Sequence, residues 1–98
     1  LANLDKNPLI LSFACLTGNF AYEESFGEAW IRNGQNAGIG FIGSSVYSYW
    51  GEDDILQRRM FDEAFDSSQT FLGGMLDEGK RDLYEYYGGA GNSKRYFE

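Results

Sequence analysis

Cys15 is the residue of this sequence whose type and position best suit covalent chemistry. It ends an apolar segment, residues 8–15 (PLILSFAC), and is followed by the turn-forming residues Thr17, Gly18 and Asn19. A thiolate is a nucleophile, and the functional groups of open α/β sheets gather beyond the carboxyl ends of parallel strands. A free cysteine is also a small hydrophobic residue that is commonly buried. The composition favours a buried Cys15, whereas its position favours a reactive one.

The sequence contains one cysteine and no histidine. A nucleophilic side chain is commonly activated by an imidazole base within hydrogen-bonding distance. Chemistry of this kind at Cys15 therefore takes its histidine from outside these 98 residues. A single cysteine permits no disulfide within the chain, so disulfide content does not indicate whether the protein works in an oxidising or a reducing compartment.

The segments around Cys15 predict a strand, a helix and a second strand. Residues 8–15 form a nearly continuous apolar run, which is typical of a strand covered on both faces. Residues 23–34 show helical spacing, and Ser25 with Glu28 matches a capping box. Residues 37–43 (AGIGFIG) are typical of a short buried strand. This order predicts a right-handed βαβ unit with parallel strands.

A loop and two helices follow the second predicted strand. Residues 44–51 (SSVYSYWG) have no clear period and predict a long loop at the same sheet edge as Cys15. A thiol beside an aromatic-lined loop suits acyl transfer, provided that a base ionises it. Residues 52–66 and roughly 75–87 predict amphipathic helices, separated by the helix-breaking residues 67–74.

These elements predict an α/β fold, in which a parallel-sheet βαβ unit is followed by two helices. Two parallel strands are a poor sheet on their own, because such strands normally lie inside larger sheets with both faces covered. We therefore expect the chain to be part of a larger α/β domain, whose further strands precede this segment.

Two short motifs have structural explanations that we prefer to a ligand site. The glycines of residues 38–43 (GIGFIG) match a dinucleotide-binding pattern, but they fall inside a predicted strand, where small residues let a helix approach closely. Glu52, Asp53 and Asp54 offer oxygen ligands for calcium, but they lack the alternating spacing of a calcium loop and suit the first turn of a helix. We therefore predict no cofactor and no metal site.

The composition argues against two classes of partner. The net charge is −7 and the eight Lys and Arg residues are scattered, whereas binding of a phosphate backbone needs clustered basic residues. No apolar run approaches the about 20 residues that span a bilayer, and no segment has the pattern of a signal peptide. We expect no nucleic-acid binding and no membrane insertion.

Several longer motifs together resemble the gingipain family of cysteine peptidases. In order along residues 9–80 they are FACLTGNF, SFGEAWIR, GIGFIGSSVYSYWGEDDILQRRMFDEAF and FLGGMLDEGK. The resemblance implies a caspase-like three-layer α/β/α fold. Residues 1–98 would be a partial catalytic domain, the half that bears the nucleophile.

The resemblance also implies roles for four residues. Cys15 would be the nucleophile, with its backbone N–H as one donor to the oxyanion. Trp50 would line the pocket for the substrate side chain, and Ser44 and Ser45 would contribute to its walls. The family's catalytic histidine, which stands in a His-Gly pair after the preceding strand, has no counterpart in this sequence. The segment would therefore be inactive without the N-terminal, histidine-bearing half of the catalytic domain.

The predicted function is a cysteine-type endopeptidase that hydrolyses peptides or proteins through a thioester acyl-enzyme. The resemblance implies a secreted or bacterial cell-surface protein. The alternative is a non-catalytic domain of the same fold with a structural role in secretion, processing or assembly, in which Cys15 belongs to the core. A free-standing ligand-binding module is a third interpretation.

Overall fold

The computed structural model describes residues 3–66 and 69–97. The chain forms two compact units, a first unit of residues 1–48 and a second unit of residues 49–98. The first unit contains strand β1 (Leu9–Ser12), helix α1 (Phe26–Ile31) and strand β2 (Gly40–Gly43). The second unit contains helices α2 (Trp50–Phe65) and α3 (Leu72–Tyr86). Short 3₁₀ helices, Gly34–Asn36 and Gly91–Phe97, follow α1 and α3.

β1 and β2 form a two-stranded parallel sheet, which pairs Leu9 with Gly40 at one end and Ser12 with Gly43 at the other. Helix α1 lies between the two strands in the chain. The predicted α/β fold class, a parallel βαβ order followed by two helices, is therefore confirmed.

Each strand is four residues long, shorter than the predicted segments 8–15 and 37–43. β1 is shorter because the chain soon enters the turn that carries Cys15. β2 is shorter because the residues before it contact α1, where the N–H of Gly38 donates to the carbonyl of Trp30 over 2.9 Å. The strand side chains are mostly half-buried, not covered on both faces as predicted. In the described part of the first unit, α1 is the helix that packs on β2.

Helix α1 begins at a complete capping box, as predicted. The N–H of Glu28 donates to the Ser25 hydroxyl over 3.2 Å, and the N–H of Ser25 donates to the Glu28 carboxylate over 2.8 Å. These hydrogen bonds hold the pKa of the Glu28 carboxyl below its ordinary value, and the bond from the Ser25 backbone N–H has the largest effect. The helix is shorter than the predicted segment 23–34, because Ser25 itself is the N-cap and the last helical residue is Ile31.

A glycine in α1 allows this helix to approach β2 closely. A Cβ on Gly27 of α1 would lie 2.7 Å from the Phe41 ring of β2, and the rings of Phe26 and Phe41 meet edge to face with centroids 6.1 Å apart. Gly40 and Gly43 lie within β2 and do not form a loop that opens a helix. The nearest atoms to a Cβ at Gly38, Gly40 or Gly43 belong to residues 8–10, to the turn after β1 or to β2 itself, so the close approach of α1 depends on Gly27 and not, as predicted, on the glycine-rich segment.

The second unit contains two helices, α2 and α3, which contact each other around Gly79. The side chains of Leu56 and Met60 on α2 and Leu83 on α3 are buried, between 0% and 6% exposed. A Cβ on Gly79 would lie 2.8 Å from Cγ of Met60 and 3.3 Å from Cδ1 of Leu56. The absence of a side chain at Gly79 therefore lets α2 and α3 come together.

Both helices of the second unit begin earlier than predicted. Helix α2 begins at Trp50 instead of residue 52, and α3 begins at Leu72 instead of residue 75. Gly73 and Gly74, predicted as part of a helix breaker, lie in the first turn of α3, where the backbone N–H groups need no partner within the helix. Residues 67 and 68 of that predicted breaker lie outside the described residues.

The buried face of α2 is narrower than its apolar pattern predicts. The helical spacing of the apolar residues in 52–66 puts Phe61 and Phe65 on the same face as Leu56 and Met60, which predicts burial, yet they are 42% and 79% exposed. Their rings stack on each other with centroids 6.1 Å apart and planes 2° from parallel.

Among the described residues, none of the helices combines the length and the apolar character needed to cross a membrane.

We expect Gly79→Ala to destabilise α3 against local opening by about 1–2 kcal/mol, because overpacking at the helix contact exceeds the roughly 1 kcal/mol that alanine gains in a helix. Amide hydrogen exchange of α3 in the full-length protein measures this free energy. Gly73→Ala is the matched control, since a Cβ there meets no atom within 4 Å. Equal exchange rates in the two variants would contradict the packing role of Gly79.

Candidate functional site

Cys15 lies in the turn that follows β1, and its side chain is exposed. Its Sγ accepts hydrogen bonds from the backbone N–H of Ser48 over 3.3 Å and from the Ser48 hydroxyl over 3.7 Å. The thiol in turn donates to the Ser48 carbonyl over 3.4 Å. Cys15 is therefore a surface thiol held by one residue of the loop after β2, and it does not pack as a core residue.

The backbone beside Cys15 takes an unusual conformation. Leu16 has a φ of +62°, in the left-handed region that a residue with a side chain adopts at a cost of about 1–2 kcal/mol. The N–H of Leu16 donates to the Val46 carbonyl over 3.1 Å, and the N–H of Gly18 donates to the Ser44 carbonyl over 2.9 Å. These two bonds pair the turn in the antiparallel sense with the loop after β2 and compensate for the strain.

Gly18 is where the turn crosses the end of β2. A Cβ at this position would lie 2.7 Å from the carbonyl oxygen of Gly43 and 3.0 Å from its carbonyl carbon. Both atoms belong to the backbone of β2, so they cannot move aside as a flexible side chain can. Only glycine fits at this crossing without displacing the turn or the strand.

The loop after β2 contains Ser44 and Ser45, the two serines for which the family resemblance implies a place in the pocket walls. The Ser44 hydroxyl donates to the Val46 carbonyl over 2.7 Å, which bends the loop on itself. The Ser45 side chain is exposed. The structure thus brings Cys15, Ser44 and Ser45 into one turn-and-loop assembly of the first unit.

Trp50 belongs to the second unit. The sequence predicted a loop over residues 44–51, but Trp50 is the first residue of α2, and its side chain is 94% exposed. Its indole is therefore open to solvent, as are several other large apolar side chains of the described residues, Phe65 among them.

Ser48 is the one group beside the thiol that the sequence did not indicate, whereas the backbone N–H of Cys15 was expected as an oxyanion donor. Ser48 was part of the predicted loop, but no spacing in the sequence indicates which loop residue meets Cys15. The backbone N–H of Cys15 makes no hydrogen bond to any of the described residues, so it is available as a donor. An exposed thiol beside an open N–H can attack an electrophilic carbon and stabilise the negative charge that develops there.

The acidic residues at the start of α2 have contacts within the protein. Glu52 and Asp53 lie in the first turn of the helix, as predicted. Asp53 accepts a hydrogen bond from the Tyr96 hydroxyl over 2.7 Å, and Asp54 forms an ion pair with Arg58 over 3.1 Å. Within residues 3–66 and 69–97, no three His, Cys, Asp or Glu side chains are arranged to hold a metal ion.

Comparison with known proteins finds a family model that matches nearly the whole chain and individual relatives that match about half of it. The family model described as Peptidase family C25 matches residues 1–97. Lys-gingipain and Lys-gingipain 381, both from Porphyromonas gingivalis, are 43% identical to this chain over 54 residues. That match covers 54% of this chain and 3% of each relative, so the chain corresponds to a small part of these proteins. No solved structure matches the chain significantly.

We expect Gly18→Ala to displace the turn that carries Cys15 and to destabilise it by about 1–3 kcal/mol, because the added methyl overlaps the backbone of β2. Hydrogen exchange of the Leu16 amide in the full-length protein should become faster. Gly40→Ala is the matched control, since its Cβ would meet only Cδ1 of Leu9, the end of a flexible side chain, at 3.1 Å. Equal acceleration in both variants would show that the crossing has no special role.

Proposed function

Because the chain belongs to peptidase family C25, a family of cysteine peptidases, we propose that it is the nucleophile-bearing part of a cysteine endopeptidase. The observation that carries the proposal is an exposed thiol, Cys15, at the carboxyl end of a parallel strand. Functional groups of open α/β sheets gather at this edge. The substrate class is a peptide or protein.

In the proposed reaction, Sγ of Cys15 attacks the carbonyl carbon of the scissile peptide bond. The thiol proton passes to an imidazole base, and the backbone N–H of Cys15 donates to the oxyanion. The C–N bond then breaks, the imidazolium protonates the leaving amine, and a thioester links Cys15 to the acyl group. Water hydrolyses the thioester, which releases a carboxylic acid and restores the thiol.

The imidazole has to come from outside these 98 residues, because they include no histidine. We propose that it belongs to an N-terminal half of the same catalytic domain, in line with the resemblance to gingipains. Residues 1–98 would then be a partial catalytic domain of caspase-like fold, inactive alone. The same resemblance supports a secreted or bacterial cell-surface location.

The substrate-binding residues follow from the same resemblance. We propose that Trp50 contacts the substrate side chain, and its 94% exposure leaves the indole available for this role. Ser45 is exposed and able to contact substrate directly. Ser44 contributes through the shape of the loop, since its hydroxyl already donates to the Val46 carbonyl.

The alternative function is a non-catalytic domain of the same fold that serves secretion, processing or assembly. The exposure of Cys15 weighs against the version in which this residue belongs to the core. The two functions differ in what the parent polypeptide contains. A His-Gly pair after an apolar strand upstream of this segment supports the peptidase, and its absence would refute it.

We expect Cys15→Ala in the full-length protein to reduce peptide hydrolysis by at least about 10⁴-fold, because no covalent intermediate can form. Turnover of a peptide library by the two proteins measures this loss, and unchanged hydrogen exchange in β1 and β2 shows that the fold is intact. Residual activity within tenfold of the unmodified protein would refute the assignment of the nucleophile.

Alkylation of Cys15 by iodoacetamide separates the two functions independently of any substrate. A thiol that is paired with an imidazole reacts rapidly at neutral pH, where an ordinary thiol is mostly protonated. Reaction at the rate of free glutathione across the pH range would favour the non-catalytic domain.

We expect Trp50→Ala to change the substrate side-chain preference while leaving the alkylation rate of Cys15 unchanged, because Trp50 is proposed to bind substrate and has no role in activating the thiol. Cleavage of a peptide library that varies the residue before the scissile bond measures the preference. Phe65→Ala is a matched control, an aromatic residue of α2 that is 79% exposed. A cleavage profile identical to that of this control would remove Trp50 from the pocket.

A further inference from the structure

Helix α2 begins without the side-chain cap that most helices use. Its N-cap residue is Tyr49, whose side chain makes no capping hydrogen bond. The first turn is completed instead by a distant residue, because the Tyr96 hydroxyl accepts from the N–H of Tyr49 over 3.0 Å and donates to the Asp53 carboxylate over 2.7 Å. In α1 the corresponding N-cap N–H is bound by Glu28, a residue of the helix itself. Tyr96 therefore does for α2 what the capping-box glutamate does for α1.

The single proton of the Tyr96 hydroxyl has one favoured acceptor. The Tyr49 carbonyl is also 3.2 Å away, but it already accepts the N–H of Asp53 over 2.8 Å. The Asp53 carboxylate is nearer and charged, and such bonds are the stronger ones. Burial, together with the bond to Asp53, raises the pKa of Tyr96 above its ordinary value, so the hydroxyl stays a neutral donor.

The neighbour of Tyr96 holds the side chain of the same N-cap residue. Nη1 of Arg95 donates to the Tyr49 hydroxyl over 2.6 Å, and its guanidinium carbon lies 5.8 Å from the centroid of the Tyr49 ring. The 3₁₀ segment Gly91–Phe97 packs against α3, since the Phe97 ring meets the Tyr84 ring edge to face with centroids 5.8 Å apart. Within the segment, the fully buried Ser93 donates to the Ala90 carbonyl over 2.7 Å. Tyr49 is thus fixed through both its backbone and its ring.

Trp50 is exposed and lies next to Tyr49, the residue that Tyr96 and Arg95 hold. It follows Tyr49 directly and precedes Asp53 by three residues, so the two residues bound by Tyr96 flank it on the first turn of α2. Because Trp50 is 94% exposed, packing does little to hold it, and the backbone of the first turn sets the direction in which its Cα–Cβ bond leaves the helix and hence the region that the indole can reach. A change in the first turn of α2 therefore changes where the indole points.

We propose that Tyr96 is a positioning residue for substrate recognition, which fixes the first turn of α2 and thereby the orientation of Trp50. This inference rests on the proposed function, in which Trp50 contacts the substrate side chain. It assigns a specificity role to a residue 46 positions further along the chain, in a segment outside the motifs that carry the family resemblance.

The kinetic test uses Tyr96→Phe in the full-length protein, which removes one oxygen and keeps the ring. We expect KM for a preferred peptide to rise by about threefold to tenfold with kcat nearly unchanged, because loss of a pre-formed binding group weakens ground-state and transition-state binding alike. Tyr86→Phe is the matched control, since that hydroxyl makes no hydrogen bond to the described residues and the side chain is 62% exposed. An unchanged KM, or an equal rise in the control, would overturn the inference.

A double-mutant comparison asks whether Tyr96 acts through Trp50. In a Trp50→Ala background, Tyr96→Phe should have no further effect on KM, because the side chain that it orients is gone. A full, additive rise in that background would overturn the inference and leave Tyr96 with a purely structural role.

The same inference has a readout that needs no activity. The amide of Asp53, which donates to the Tyr49 carbonyl over 2.8 Å and closes the first turn of α2, should exchange faster in Tyr96→Phe than in Tyr86→Phe, and exchange in β1 and β2 should not change. Unchanged exchange at Asp53 would overturn the inference. A full-length protein that hydrolyses no peptide and whose Cys15 reacts as an ordinary thiol would instead refute the proposed function, and the exchange result would still decide whether Tyr96 holds the turn.

Discussion

The close approach of Gly18 to the backbone of Gly43 is the constraint on which the candidate site depends. Parallel pairing of β1 with β2 brings the ends of both strands to one edge of the sheet. The chain after β1 then reverses across the end of β2, and a Cβ at the crossing would lie 2.7 Å from a backbone oxygen. This reversal places Leu16 and Gly18 against the loop after β2, and the same arrangement presents the Cys15 thiol to Ser48.

The features that the sequence predicted are those encoded within a few neighbouring residues. Ser25 and Glu28 are three positions apart, and their capping box forms where the pattern indicated. The apolar runs around residues 9–12 and 40–43 identified both strands, because four consecutive residues suffice to define each. The position of Cys15 at the end of the first of these runs was sufficient to select it as a candidate nucleophile.

The features that the sequence did not predict depend on contacts between distant residues. At the start of α2, the hydroxyl of Tyr96, far along the chain, takes the place of a local cap, and no spacing near Trp50 signals this. The contact of Ser48 with the thiol spans 33 positions. The burial of α2 was overestimated at Phe61 and Phe65 because an apolar pattern shows which face is able to pack, whereas packing also requires a neighbour.

The two-stranded sheet has a consequence for how these 98 residues behave when they are prepared by themselves. Within the described residues, β1 and β2 pair only with each other, so each has an outer edge whose N–H and C=O groups face no strand. Such edges are templates for any extended segment that reaches them. In a complete sheet they are the places where further strands add. In an isolated preparation the same edges favour pairing between copies, so self-association is the characteristic hazard of handling this segment alone.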